Sequence, residues 1–311
     1  MNRFVSLAAG LALAGSAHAA APAAGFQLTL VDMQGNKKVL GTLPDSVVAP
    51  RLSPDGRQVA FELTDPPAPN TPPSVKVYIA DLDNLDKRRA IPQTIVEPRN
   101  LSPIWSPDDQ WLIFQASGNG SDDLFQARLI ANVSEQPTYI GDGRSPEVVD
   151  KHGHVIFLTL QGDKDYGIAQ LDPKTRKVTR LVDQPGSAQY GGALSPDGRW
   201  IAYTSDETGS AEVWLEPLPT SGKRVQLTKN GGAHPEWSPD GTKIYFDQGG
   251  QIYQMSIAVA GGTPQAGNAA ALPIQGFQQS DLRRQYDLMP DGKAFVMLFP
   301  GGAPPAPAPA R

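Results

Sequence analysis

Leu194-Ser195-Pro196-Asp197-Gly198-Arg199-Trp200-Ile201-Ala202-Tyr203 constrains the fold of this chain more than any other stretch, because its pattern recurs. The tetrad Ser-Pro-Asp-Gly reads as a tight turn: proline presets φ, aspartate bonds its own backbone, and glycine accepts a positive φ. In the strand that follows, Trp200 and Ala202 fall on one face and Ile201 and Tyr203 on the other. Both faces are apolar, so such a strand needs cover on both sides.

The pattern returns at Ser53-Pro54-Asp55-Gly56, Ser106-Pro107-Asp108-Asp109, Ser238-Pro239-Asp240-Gly241 and Met289-Pro290-Asp291-Gly292, each time before an apolar strand. A sixth, decayed copy emerges when Val148–Phe157 is laid over Trp237–Phe246 without a gap, with Pro146-Glu147 falling on Pro235-Glu236. The proline position then occurs at 54, 107, 150, 196, 239 and 290, with Asp150 in the decayed copy. Spacings of this size mark stacked supersecondary units that cannot bury their faces alone. The turn residues Asp55, Gly56, Asp108, Asp197, Gly198, Asp240, Gly241, Asp291 and Gly292 are assigned a structural role.

Within each repeat the order is turn, two-faced strand, loop, alternating strand, turn and polar outer strand, which makes four strands and no long helical period. The last copy supplies only inner strands, around Tyr286 to Leu298, whereas Phe26 to Leu43 supplies two outer strands and no inner ones. Joining them completes a sixth unit and leaves no open sheet edge. The expected fold is therefore all-β: a six-bladed β-propeller of four-stranded blades over residues 26–300, closed by pairing N-terminal outer strands with C-terminal inner strands. A β-sandwich would not explain six in-register copies.

Residues 1–19 read as a signal peptide, with Arg3 as the basic segment, an apolar run from Phe4 to Ala14, and Ala17-His18-Ala19 as the cleavage site. Residues 20–25 form a spacer. The apolar run is too short to span a bilayer, and no later stretch is long and apolar enough. The chain of 311 residues has no cysteine, hence no lipid attachment after the cleavage site and no disulfides. Losing Arg3 with the leader shifts the formal net charge from −5 to −6. No basic cluster exceeds Lys87-Arg88-Arg89, which argues against nucleic acid as a partner. The expectation is a periplasmic or secreted monomer without a membrane span. The proline-rich stretch 65–73 reads as a protruding loop, and residues 301–311, rich in proline and alanine, as a disordered tail.

The core pattern Pro235-Glu236-Trp237-Ser238-Pro239-Asp240-Gly241, repeated across most of the chain, resembles the TolB-like, or WD40-like PD40, β-propeller family. Thr204-Ser205-Asp206-Glu207-Thr208-Gly209 with Glu212-Val213-Trp214 is similar to propellers fused outside the membrane to bacterial receptor kinases. The resemblance does not extend to the N-terminal α/β domain of TolB or to the serine-hydrolase domain of the family's peptidases. What it implies is a binding or scaffold module rather than a particular ligand.

A catalytic set is harder to find. The chain contains no Gly-x-Ser-x-Gly elbow. His152 and His154 lie in the decayed turn without a nearby third ligand, so they read as turn residues. Asp163-Lys164-Asp165-Tyr166-Gly167 opens like a calcium loop but lacks the glutamate that completes one. No catalytic residue, cofactor or metal site is assigned. The loops ahead of the inner strands vary between repeats and gather at one channel mouth, a reasonable binding surface. The candidate binding residues there are Arg144, Tyr190, His234 and Arg284, with Glu147 and Glu236 one position further in. The expected function is a non-enzymatic binding scaffold of the cell envelope for a protein, peptide or glycan. The alternative is a hydrolase or lyase working at the same mouth.

Overall fold

The computed structural model describes residues 25–301, apart from 67–73, 94–98, 119, 131–132, 162–164 and 261–262. The expected signal peptide, most of the loop at 65–73, the start of the segment at 163–167 and residues 302–311 lie outside the described residues. All regular structure among the described residues is β-strand.

Each repeat contributes antiparallel neighbours in a sheet. In repeat one these are Val48–Leu52, Gln58–Thr64, Val75–Asp81 and Asn84–Ala90; in repeat two, Arg99–Trp105, Trp111–Gly118, Ser121–Ile130 and Thr138–Asp142. A single parallel pair, Val75 with Arg99, joins those two sheets into one of nine strands. Repeats three and four run Arg144–Val149 to Lys177–Val182 and Gln189–Leu194 to Val225–Gln226, four strands each. Repeat five begins at Ala233–Trp237 and Lys243–Gln248. The last sheet has the order Lys37–Leu43, Phe26–Asp32, Ala294–Pro300, Tyr286–Leu288, with Phe26 opposite Pro300 and Asp32 opposite Ala294.

The apolar cores lie between successive sheets. Trp200 and Ala202 enter the cluster shared with Trp237, Ile244 and Phe246, while Ile201 and Tyr203 enter the one shared with Ile156, Leu158 and Ile168. The two-faced strand is thus covered on both sides, and Trp200–Ser205 is buried throughout. Each fully buried large side chain contributes about 1.5–3 kcal/mol.

The turn is built from its own residues. The Ser238 amide donates to the Lys243 carbonyl (2.9 Å) and the Gly241 amide to the Ser238 carbonyl (2.8 Å). The Asp240 carboxylate accepts the Ser238 hydroxyl (2.6 Å) and the Thr242 amide (3.0 Å). These bonds hold the carboxyl down to about 2, the serine hydroxyl contributing most. The same arrangement recurs at Asp55, Asp108 and Asp197.

Repeat three departs from the gap-free alignment. Asp150 takes the serine slot, not the proline slot: its amide donates to His154, and Gly153 donates to its carbonyl. Its carboxylate accepts the His152 and His154 amides, as a serine hydroxyl accepts the strand amide elsewhere. The turn is one residue short, and an extra residue in Arg144–Val149 restores the register: Val149 faces Val155, as Trp237 faces Ile244.

Candidate functional site

Every inner strand of repeats one to five carries a register shift near its start, so two residues there, and three in repeat three, occupy the space of one. In it Ala49, Ser102, Ser145 and His234 adopt positive φ of 42–53° ahead of a proline, and Gly191 has φ of 66° ahead of Gly192. The next residue inward, Arg51, Ile104, Glu147 or Glu236, is thereby aimed into the space where the linings of two cavities meet.

Towards the loops, a cavity of about 40 Å³ is lined by all six repeats, including Ser102, Ser145, Gly191, His234 and Arg283. Towards the Ser-Pro-Asp-Gly turns, one of about 410 Å³ includes Trp105, Glu236, Trp237, Asp287 and the turn prolines Pro54, Pro107, Pro239 and Pro290. Arg51, Glu147 and Arg284 line both.

These groups hold one another. Arg284 pairs with Glu236 and with Asp287 (2.9 Å). Arg51 donates to the carbonyls of Pro50 (2.8 Å) and Arg284 (2.9 Å), and burial, then the Arg284 charge, lowers its guanidinium to about 10. Glu147 accepts the amides of Gly191 and Gly192. Gly192 stands where repeats one, two, three and five have proline, so among these five repeats only the fourth offers that second N–H. A side chain there would meet the Glu147 carboxylate, since a Cβ would lie 2.6 Å from Oε2. Burial nonetheless dominates, pushing the Glu147 carboxyl up to about 7 against the two amides and the charges of Arg284 and Arg51.

The structure brings Glu147, His234, Glu236 and Arg284 to these two cavities but leaves Arg144 and Tyr190 off both. Arg144 forms an ion pair with Asp122 at 2.5 Å and lies 5.9 Å from the Tyr166 ring. Tyr190 and His234, read from the sequence as residues of a variable loop, are buried, 7% and 3% exposed, with ring centroids 5.7 Å apart. The shifted register turns them inward against the neighbouring sheet. His234 Nδ1 lies 2.9 Å from Asp247 Oδ1, while Nε2 is buried without a hydrogen-bond partner among the described residues. Burial pushes the Tyr190 hydroxyl up to about 12, with Asp247 adding to it.

Sequence reasoning missed Arg51 and Asp287, though they occupy the same inner-strand column as Glu147 and Glu236. A charge there, in an otherwise apolar strand, was the available signal. It also missed the latches between sheets. Glu62, 1% exposed, accepts the Ser102 amide (2.7 Å) and the Arg283 guanidinium (2.7 and 2.8 Å). Gln115 accepts Ser145 N, Thr204 Oγ1 accepts His234 N, and Gln285 accepts Ala49 N. Each latch satisfies the amide that the positive-φ residue removes from its own ladder.

Residues 24–215 match the family model of the TolB beta propeller domain. Over 85 residues the chain is 33% identical to the uncharacterized protein Atu1656 of Agrobacterium fabrum, a match that covers 27% of this chain and only 29% of that protein's length. A structure assigned as TolB from Agrobacterium tumefaciens superposes with TM-score 0.65 at 19% identity, covering 88% of this chain and 98% of that one. The periplasmic gluconolactonase PpgL of Pseudomonas aeruginosa superposes with TM-score 0.59 at 15% identity, covering 89% and 85%. At these identities the two structures share a fold with this chain, and that is all the likeness carries.

Proposed function

The chain belongs to the TolB β-propeller family, and from that premise we propose that it is an exported, non-enzymatic binding propeller of the bacterial cell envelope, whose partner is a protein, peptide or glycan. In this reading the repeats close into a six-bladed ring, with Phe26–Asp32 and Lys37–Leu43 as the outer strands of the last blade. The partner meets the loop-rich mouth, with Arg283, Arg284 and Glu147 as ionic groups lining the cavity there and Glu236 deeper, in the cavity towards the turns. Tyr190 and His234 shape that mouth from beneath, and Arg144 stands at its margin.

The observation that carries this reading is the mutual neutralisation of the axial groups. Glu147 is held by two amides, Arg284 by two carboxylates and Arg283 by Glu62. A catalytic centre needs convergent groups left free for a substrate. The mouth cavity, about 40 Å³, is also far below the roughly 300–1,000 Å³ of small-molecule sites. Recognition across the surface of an end suits such a ring better than entry into it.

The hydrolase or lyase reading draws on the cavity of about 410 Å³ at the turn end and on the fold shared with the gluconolactonase. The two readings separate in one pair of experiments. Cross-linking to envelope extract should yield a partner whose capture falls at least tenfold with Arg284→Ala, as for an anchoring arginine. The same protein, incubated with sugar lactones and uronate oligomers with and without divalent cations, should turn over none. Turnover abolished by Glu147→Gln or Glu236→Gln would replace binding with catalysis.

A further inference from the structure

Charge is compensated unevenly at the loop-rich end of the molecule. Lys76, Arg144 and Arg283 each face a carboxylate there, those of Asp65, Asp122 and Glu62. Asp45, Asp123, Asp142, Asp206 and Asp281 stand in or beside the same loops with no ion pair among the described residues. The hydrogen bonds that Asp123, Asp142 and Asp206 accept come from neutral donors, the hydroxyls of Ser121 and Tyr139 and the Ala188 amide. Against these carboxylates the loops hold Arg99 and Lys229, both exposed, as cations outside an ion pair among the described residues. The rim of the mouth is therefore acidic.

One part of this rim has a buried acceptor beneath it. Burial first, then the charges of Asp247, Asp206 and Asp281, raises the hydroxyl of Tyr190, whose ring stands against His234. Asp281 is followed by Leu282, which is 41% exposed and lines the mouth cavity together with His234. His234 Nδ1 faces Asp247, so the neutral imidazole carries its proton there. The buried Nε2, which has no hydrogen-bond partner among the described residues, then presents a lone pair. Carboxylates above and a lone pair beneath suit a positively charged donor. The guanidiniums lining the same cavity do not reverse the sign. Arg283 and Arg284 are paired with carboxylates, and Arg51 stands among the charges of Asp287, Glu62 and Glu147.

Resting on the reading of the loop-rich mouth as the binding end, we infer that the partner is a protein presenting a basic segment, one lysine of which enters beside Leu282. Its ammonium donates to His234 Nε2 and faces Asp206 and Asp281. Lysine fits this place better than arginine, because an ammonium is a compact charge with three donors. The mouth cavity of about 40 Å³ holds a group about the size of one water molecule, not a planar guanidinium. Asp45, Asp123 and Asp142 attract the rest of the segment along the rim.

The test is selection of a phage-displayed random dodecapeptide library on the whole protein. The winning peptides then carry fluorescein for anisotropy and benzophenone for photo-cross-linking. The expected result is enrichment of lysine, cross-links to the loops of the mouth, and affinity that weakens as salt is raised. Affinity should fall at least tenfold in His234→Phe and in Asp206→Asn/Asp281→Asn. Asp83→Asn/Glu135→Gln removes the same charge from exposed carboxylates at the turn end and should bind as the parent does. Circular dichroism and thermal melting confirm that each variant is folded. Asp206 and Asp281 are exposed, so their variant decides the matter even where His234→Phe does not fold. Peptides that cross-link to the mouth but lack lysine, or that bind every variant alike, overturn the lysine anchor and leave the mouth as the binding end. Cross-links confined to the turn end overturn both, and a selection without enrichment overturns the inference.

Discussion

Glu147 shows how one side chain can join two repeats and still carry a cost. Its carboxyl stands at about 7, above the ordinary glutamate value near 4.5. In the window between these values the folded protein binds more protons at this site than the unfolded chain does. Stability contributed here therefore falls as pH rises, and the penalty is complete above about pH 7. Glu147→Gln removes the titration, so its stability relative to the parent should rise from pH 5 to pH 8 by on the order of 1 kcal/mol, a figure discounted for solvent screening of this half-buried carboxyl. Urea midpoints at several pH values measure the difference, and a flat curve would refute it. Glu62 acts in the opposite sense on removal. Glu62→Ala leaves Arg283 and the Ser102 amide without their partner and should cost about 3–5 kcal/mol, the range for breaking a buried pair. Chemical denaturation reads it directly.

At the scale of the element, the turn and the inner strand follow different rules. The turn is local: its serine, aspartate and glycine satisfy one another within five residues, which is why it was legible in the sequence and survives in altered form at Asp150. Its glycines separate backbone strain from packing. Gly292 and Gly153 have φ of 70° and 85°, so alanine strains both, but only at Gly292 does it also meet a proline ring. Gly292→Ala should cost about 1–2 kcal/mol and Gly153→Ala about 1 kcal/mol or less. Equal losses in thermal melts would remove the approach of Gly292 to Pro239 as an energetic contact. The inner strand, by contrast, depends on its neighbours. Tyr190 reads as a loop residue because it stands in the variable stretch ahead of the inner strand, yet it packs with Ile201, Tyr203 and Trp214. Tyr190→Ala should therefore cost about 3–5 kcal/mol, as for an aromatic core residue, instead of the roughly 0.5 kcal/mol of an exposed site.

At the scale of the whole molecule, residues more than 250 positions apart share one sheet, and Leu28 and Leu43 share a core with Val59 and Phe61 of the first repeat. Deleting Phe26–Leu43 uncovers the edge of Ala294–Pro300 and one face of the first repeat together. The expected outcome is aggregation in place of a mild loss, and size-exclusion chromatography of the deletion variant decides it; a monomeric, cooperatively melting product would contradict it. The repeat itself, the strand count per unit, the turn chemistry and the two-faced strand that must be covered on both sides were determined by the sequence alone, because each rests on contacts within a few residues or on strict alternation. Tertiary structure alone decided the rest. The bulge that turns Tyr190 and His234 inward, the pairing of Arg284 with Glu236 and Asp287, and the latch of Glu62 on Ser102 all arise where one repeat meets the next. Which side chain faces which across that gap depends on register shifts of a single residue, and no local pattern records them.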